Sequence, residues 1–286
     1  MRRSFAAALA VLACAGCGGP HHAAPATTVK KTPRAAPAAL RVGVVGPLAV
    51  DVPGAVADRG TLAQVAHDEL VLADARVVSL PAVAAAANAH PASRFAYVGG
   101  SAARERAPNL VGLVLDESAA AELAGSVAGT IAAAQGTSAP RIAWVGPEER
   151  QLAAAFARGV RTTAPDAQVL HQWSRSVPAR CKQAALTAID RGAVLVMAHG
   201  GNCALAAEAA AHDQNQPALE LGDFELPSAA AATVVRDALA GVRHGGEDIV
   251  FGATTGAIGV RTIDPLVPPD VAAQARAAAQ DFLTAG

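Results

Sequence analysis

The sequence predicts an α/β fold in which parallel sheets, flanked by helices, form two lobes. Between residues 140 and 223, short apolar runs alternate with segments of helical periodicity, and both the first and the last of these elements are strands. A similar alternation occurs between residues 41 and 134. Strands that alternate with helices indicate parallel sheets covered on both faces. Such sheets bind ligands beyond the carboxyl ends of their strands, so a site is expected there.

The composition excludes several classes of function. The chain has 286 residues, of which 52% are hydrophobic, which is enough for one or two domains with sizeable cores. Its formal net charge is −1 and no stretch is strongly basic, so nucleic acid is not expected as a partner. No His or Cys spacing is typical of a metal site and no glycine-rich nucleotide fingerprint occurs, so no metal and no cofactor are predicted.

The first 17 residues have the pattern of a signal peptide. Arg2 and Arg3 precede a short apolar run, Phe5–Ala13, that cannot span a membrane stably. Small residues then precede Cys17, which resembles a bacterial lipoprotein signal in which this cysteine is lipidated. Cys14 is the rival for lipidation, and an ordinary cleaved signal is the alternative. In each case the mature protein leaves the cytoplasm, and a lipid anchor would hold it on the extracytoplasmic face of the cell membrane.

Residues 18–40 are rich in proline, alanine and threonine and are predicted to be a disordered linker. Hydrophobic periodicity, together with the positions of glycine and proline, predicts the strands and helices that follow. Predicted strands cover 41–46, 76–80, 94–98, 110–115, 141–146, 168–172, 193–199, 219–222 and 248–252, with a short extended piece at 256–263. Predicted helices cover 61–72, a segment after Pro81, 116–134, 148–163, 179–191, 204–211, 227–242 and 270–283.

Six residues at the ends of the predicted strands are candidate ligand-binding residues: Gly46, Gly99, Gly146, Gly200, Gly201 and Asp223. Glycines allow a ligand to approach backbone N–H groups closely, and a carboxylate accepts strong hydrogen bonds from ligand hydroxyls. The alternative for Gly200 and Gly201 is a tight strand-to-helix turn, and for Asp223 a solvated helix cap. His199, which ends the most apolar strand, is interpreted as a structural histidine or as a hydrogen-bonding residue of the crevice.

Cys181 and Cys203 are the two cysteines that follow the signal peptide, and they are predicted to form a disulfide. An oxidising compartment favours this pairing, which closes a loop of about 20 residues. A reactive thiol pair is the alternative, but the CxxC spacing of redox sites is absent.

Several segments, in order and spacing, resemble the basic membrane protein family of PnrA-like nucleoside-binding lipoproteins. They are Pro91–Ala96, Leu110–Leu113, Glu117–Gly125, Phe156–Val160, Ala185–Ala193, Leu221–Asp223 and Asp248–Gly259. The resemblance implies a type I periplasmic-binding-protein fold whose lobes close on a small polar ligand, such as a nucleoside. It also implies an ABC permease as partner, a lipid attachment to the membrane and no chemistry on the ligand. The protein is therefore not expected to be an enzyme.

The predicted lobes follow this resemblance. Residues 41–116 and 227–246 are assigned to lobe 1, and residues 117–226 and 247–286 to lobe 2. The first lobe is shortened relative to the family, and it lacks the aromatic side chain that stacks on a base, since no Phe, Tyr or Trp occurs between Phe5 and Phe95. This departure supports an alternative, a sensory or interaction lipoprotein without a transport function, on the same fold and with a degenerate pocket. A nucleoside hydrolase would need an acidic cluster, which the sequence does not display.

Overall fold

The structure is a computed structural model, and it describes residues 39–105 and 107–285. The predicted signal peptide, the lipidation site at Cys17, its rival Cys14 and almost all of the predicted linker lie outside these residues. Within the described part, no helix is long and apolar enough to cross a membrane.

Ten strands and eight α-helices make up the described part of the chain. The strands are β1 Leu40–Val45, β2 Ala55–Arg59, β3 Leu70–Asp74, β4 Arg94–Val98, β5 Leu110–Leu115, β6 Arg141–Gly146, β7 Gln168–Trp173, β8 Ala193–Ala198, β9 Ala218–Glu220 and β10 Asp248–Phe251. The helices are α1 Leu62–Val65, α2 Leu80–Ala89, α3 Glu117–Ala133, α4 Arg150–Thr163, α5 Pro178–Asp190, α6 Asn202–Asp213, α7 Pro227–Leu239 and α8 Pro269–Ala285. A 3-10 turn, Leu221–Phe224, follows β9.

The strands form two parallel sheets, as the sequence predicts. The first has six strands in the order β10-β5-β4-β3-β1-β2, and the second has four in the order β7-β6-β8-β9. In the first sheet, α1 and α2 cover one face and α7 covers the other. In the second, α5 and α6 cover one face, whereas α3, α4 and α8 cover the other. Each sheet therefore has its own apolar core on both faces, which confirms the predicted fold class.

The chain passes between the two lobes three times. It crosses from β5 to α3 at residues 115–117, from β9 to α7 at residues 220–227, and from β10 to α8 at residues 251–269. These three segments connect the two sheets.

The position of β10 corrects the predicted lobe boundary. Residues 247–286 were assigned to lobe 2, but β10 pairs with β5 in the first sheet, with Asp248 opposite Gly112 and Phe251 opposite Leu115. Helix α8, by contrast, packs against α3 in the second lobe. The error arose because hydrophobic periodicity identifies a strand but does not say which sheet it joins.

The beginning of the first lobe also differs from the prediction. The predicted helix 61–72 is a single turn, α1, followed by strand β3, and the predicted strand 76–80 is a turn. Both faces of β3 are buried, so its apolar residues do not alternate and were read as a continuation of the helical pattern. Strand β2 forms where a loop was expected. The first lobe thus has six strands against four in the second, and its helix α1 has only four residues. That this lobe is short relative to the family stays a prediction.

The predicted disulfide is present. Cys181 in the first turn of α5 is bonded to Cys203 in the first turn of α6, and both residues are completely buried. The Ser174 hydroxyl lies 3.0 Å from Sγ of Cys181 and 3.2 Å from Sγ of Cys203. Because disulfide sulfurs carry no hydrogen, this hydroxyl is the donor.

Candidate functional site

A cavity of about 470 Å³ lies between the two lobes at the carboxyl ends of both sheets. A second cavity of about 810 Å³ adjoins it and shares Leu115, Glu117, Glu149 and Leu152. Together they form what we call the interlobe cleft. The smaller cavity is lined by Asp74, Arg76, Val98, Gly99, Leu115, Glu117, Glu149, Leu152, His199, Gly200, Gly201, Glu220, Leu221, Gly222, Glu225, Pro227 and Arg261.

The strand ends determine which side chains reach this cavity. In the first sheet, Asp74 ends β3 and Gly99 follows β4. In the second, His199 follows β8 and Glu220 ends β9. The crossovers add Glu117 and Glu225. The carboxyl ends of parallel strands in an open α/β sheet are the usual place for a ligand, and here two such edges face the same cavity.

Both arginines in the cavity wall are paired with aspartates of the same chain. Asp74, whose side chain is 1% exposed, accepts hydrogen bonds from Arg76 Nε at 2.9 Å and from Arg76 Nη2 at 2.6 Å. This bidentate contact raises the pKa of the Arg76 guanidinium. Asp223 Oδ1 lies 3.0 Å from Nη2 of Arg261 and 3.3 Å from its Nε. The positive charge of each arginine is therefore already balanced by an aspartate, which weakens its attraction for an anionic ligand.

Four glutamates in the same wall are not paired. Glu117, Glu149, Glu220 and Glu225 have no side-chain hydrogen bond and no ion pair to residues 39–105 or 107–285. Burial raises the pKa of Glu117, and the charge of Glu149 raises it further. Burial and the neighbouring Asp223 raise the pKa of Glu220. Burial, together with the charge of Glu117, raises the pKa of Glu225 to about 7. Arg261 offsets part of the rise at Glu220, and Arg76 and Arg261 part of that at Glu225. Three of the four carboxyl groups, those of Glu117, Glu220 and Glu225, are thus partly desolvated.

His199 is a neutral, buried member of the wall. It is 4% exposed, and burial lowers its pKa to about 4. Its Nε2 is buried and has no partner within the described residues. The ring also packs on Trp144, with the two centroids 4.6 Å apart.

Gly146 is the residue that makes room for this histidine. A Cβ at position 146 would overlap Cδ2 and Nε2 of His199. We expect Gly146→Ala to lower the free energy of unfolding by about 1–3 kcal/mol, because a well-packed site must deform to admit the extra carbon. Thermal or urea denaturation measures this loss. Gly222→Ala is the control, since a Cβ there would only make ordinary contact with Glu220, 3.6 Å away. Equal stability of the two variants would show that His199 is not held against Gly146.

The six predicted ligand-binding residues divide into two groups. Gly99, Gly200 and Gly201 lie in the cavity wall. The other three lie beside it: Gly46 packs against Asp74, Gly146 packs against His199, and Asp223 holds Arg261. A direct contact of any of the six with a ligand stays a prediction.

Sequence reasoning missed most of the charged wall. Arg76, Glu149, Glu220, Glu225 and Arg261 were not singled out, and Glu117 was named only as part of the segment Glu117–Gly125. The fold brings four glutamates from separate segments to one cavity, an arrangement that the sequence does not display. Glu220, three residues before the predicted Asp223 and within the predicted strand 219–222, was the one available signal. No group of His, Cys, Asp and Glu within the described residues has the geometry of a metal site.

Comparisons with known proteins support the fold. No protein-family model and no curated protein matches this chain. A solved structure named as a solute-binding protein of an ABC transporter system from Conexibacter woesei DSM 14684 is similar, with 17% identity, a TM-score of 0.63 and coverage of 86% of this chain and 97% of that one. A structure named as a transcriptional activator of the comK gene from Bacillus halodurans has 14% identity and a TM-score of 0.57, over 85% of this chain and 97% of that one. The chain therefore has the two-lobed α/β fold of type I periplasmic binding proteins.

Proposed function

We propose that this chain is an extracytoplasmic solute-binding lipoprotein of an ABC transporter and that it binds a small polar ligand in the interlobe cleft. The observation that carries the proposal is the position of the cavity, between the carboxyl ends of two parallel sheets that three crossovers connect. A cavity of about 470 Å³ has the size of a small-molecule site. In this proposal an ABC permease is the partner, and a lipid on Cys17 attaches the protein to the cell membrane.

Two further observations support a binding protein rather than an enzyme. The Conexibacter structure, which is named as a solute-binding protein, matches over 97% of its own length. The lobes are also joined by crossover segments that permit closure around a ligand, and a ligand that contacts both walls favours the closed state. Labelled nucleosides incubated with the protein should accordingly be recovered unchanged.

The resemblance to the basic membrane protein family makes a nucleoside the first ligand to test, but the walls of the cleft weigh against it. No Phe, Tyr or Trp lines either cavity within the described residues. A purine would therefore lack an aromatic face to stack on. This observation favours the second candidate, a non-transport lipoprotein on the same fold, and the Bacillus halodurans structure is an example of a similar chain with a different named role.

A thermal-shift panel of nucleosides, sugars and small amines tests the proposed function. A specific ligand at about 100 times its Kd is expected to raise the free energy of unfolding by about 2.7 kcal/mol. Protein that has been unfolded, dialysed and refolded should be used alongside native protein, because a copurified ligand would hide the shift. Native mass spectrometry of the freshly purified protein identifies such a ligand directly. If no compound stabilises the refolded protein and none copurifies, the second candidate is preferred.

A further inference from the structure

We propose that the ligand of the interlobe cleft is a small organic cation that carries at least one ammonium or guanidinium group. This inference rests on the solute-binding function proposed above and names the class of solute.

The first argument is the balance of charge in the cavity wall. Arg76 and Arg261 are each hydrogen-bonded to an aspartate, so these two pairs are electrically neutral. Glu117, Glu149, Glu220 and Glu225 form no ion pair within the described residues, although the charges of Arg76 and Arg261 offset part of the rise in the pKa of Glu225, and Arg261 part of that of Glu220. The wall has five carboxylates, including Asp74, and two arginines, so its balance is negative. An incoming cation would relieve the repulsion among these glutamates and form charge-assisted hydrogen bonds with them.

The second argument concerns the helix ends that face the cleft. Helix N-termini ordinarily attract anions, but at α3 this position is occupied by Glu117 and at α4 by Glu149. Helix α6 begins after Gly201 without an acidic residue in its first turn. An anion at α6 would still face the four unpaired carboxylates across the same cavity, with both arginines already engaged.

The third observation is independent of the glutamates. His199 lies in the same wall, and burial lowers its pKa to about 4, so its ring adds no positive charge to the cavity at neutral pH. The unpaired carboxylates require hydrogen-bond donors, and ammonium and guanidinium groups consist only of donors. The polar groups of the wall are therefore complementary to a cation.

A set of four-carbon compounds tests charge at constant length. Putrescine carries two ammonium groups, 1,4-butanediol is neutral, and succinate carries two carboxylates. Each is added to the full-length protein at pH 8, where the glutamates are ionised, with agmatine and spermidine as additional cations. We expect at least one of the three cations to raise Tm in a saturable manner and to bind in calorimetry, whereas 1,4-butanediol and succinate leave Tm unchanged.

A double variant distinguishes the cleft from general attraction to an acidic protein. Glu220→Gln with Glu225→Gln is expected to weaken binding of the active cation at least about 10-fold, since two charge-assisted hydrogen bonds are lost. The matched control is Glu247→Gln, an exposed glutamate directly before β10, which should bind as the unmodified protein does. The double variant should keep or raise the Tm of the ligand-free protein at pH 8, because ionisation of a buried carboxyl with a raised pKa disfavours the folded state.

The outcomes are separable. If a neutral sugar, a nucleoside or succinate binds and none of the three cations does, the inference is overturned while the solute-binding function stands. If neither the cations nor the wider panel stabilises the protein, the proposed function fails and this inference fails with it. Equal weakening in the double variant and in Glu247→Gln would show that the cation is attracted to the whole surface, which also overturns the inference.

Discussion

Replacing Gly159 with alanine is expected to lower the free energy of unfolding by about 3 kcal/mol or more, the largest effect of a single added carbon that we expect in this fold. Gly159 lies in α4 where this helix crosses α3. A Cβ at this position would overlap the Glu122 carbonyl oxygen and would lie 2.8 Å from the Ser126 amide nitrogen. Both neighbours are backbone atoms of α3, so no side-chain rotation relieves the overlap and the helices must separate.

Two glycines of α3 contribute to the same close contact between the helices. A Cβ at Gly125 would overlap the Phe156 carbonyl oxygen, and one at Gly129 would overlap the Thr163 hydroxyl. The three glycines therefore allow the backbones of α3 and α4 to pack directly, which brings Phe156 and Val160 into the core of the second lobe. Separation of the helices would open cavities around these side chains, and residual cavities are costly.

Urea denaturation of Gly159→Ala and Gly125→Ala measures this effect, with Ala154→Ser on the exposed face of α4 as the control. Alanine has a higher helix propensity than glycine by about 1 kcal/mol, so propensity alone predicts stabilisation. A net loss of stability can therefore only come from the contact between α3 and α4. If Gly159→Ala is as stable as the unmodified protein, the two helices are not held at the distance that the structure shows.

The second lobe could be predicted from the sequence because the hydrophobic periodicity of its segments matches the strands and helices that they form. The predicted strand 141–146 coincides with β6, and the predicted helix 148–163 includes α4. Leu152, Phe156 and Val160 recur every four residues there, and α4 has one buried and one exposed face. The glycines that set the distance between α3 and α4 carry no such periodic signal, so the closeness of the two helices was not predictable.

The first lobe was harder to predict because its strands and helices show weak hydrophobic periodicity. Strand β3 is buried on both faces, so its apolar residues do not alternate with polar ones. The preceding helix α1 is one turn long, so it is too short to show a helical repeat of apolar residues. Strand β10 joins the first sheet after a separation of well over 100 residues from its partner β5. Pairing of this kind depends on tertiary packing, which hydrophobic patterning does not encode.

The sequence predicts a crevice at the ends of the parallel strands, and a cavity lies there, because topology alone determines where such ends meet. It does not predict which charged side chains line that cavity. Glu117 and Glu225 belong to different crossovers and are more than 100 residues apart, yet the charge of one raises the pKa of the other. The pairing of Arg261 with Asp223 likewise joins two crossovers. Charge balance in a cleft is a property of the assembled fold and is not visible in single segments.

Loss of the Cys181–Cys203 disulfide is expected to lower the free energy of unfolding by about 3 kcal/mol. The bond joins residues 22 positions apart, and a loop of this length restricts the unfolded chain by about that amount. Both half-cystines are completely buried, so the residues that replace them also lose contacts in the core beneath α5 and α6. The variant Cys181→Ser with Cys203→Ser and the reduced unmodified protein should show similar losses in urea denaturation.

The disulfide should also affect the interlobe cleft, because Cys203 lies two residues after Gly201. The bond fixes the first turn of α6, and Gly200 and Gly201 of the preceding turn are part of the cavity wall. We therefore expect the double serine variant to bind the cleft ligand more weakly, by a factor that exceeds the effect of the control Ser174→Ala, which removes only the hydroxyl next to the sulfurs. Unchanged stability in the double variant would contradict the claim that the disulfide stabilises the fold by restricting the unfolded chain. Lower stability with unchanged affinity would show that the Gly200–Gly201 turn keeps its shape without the bond.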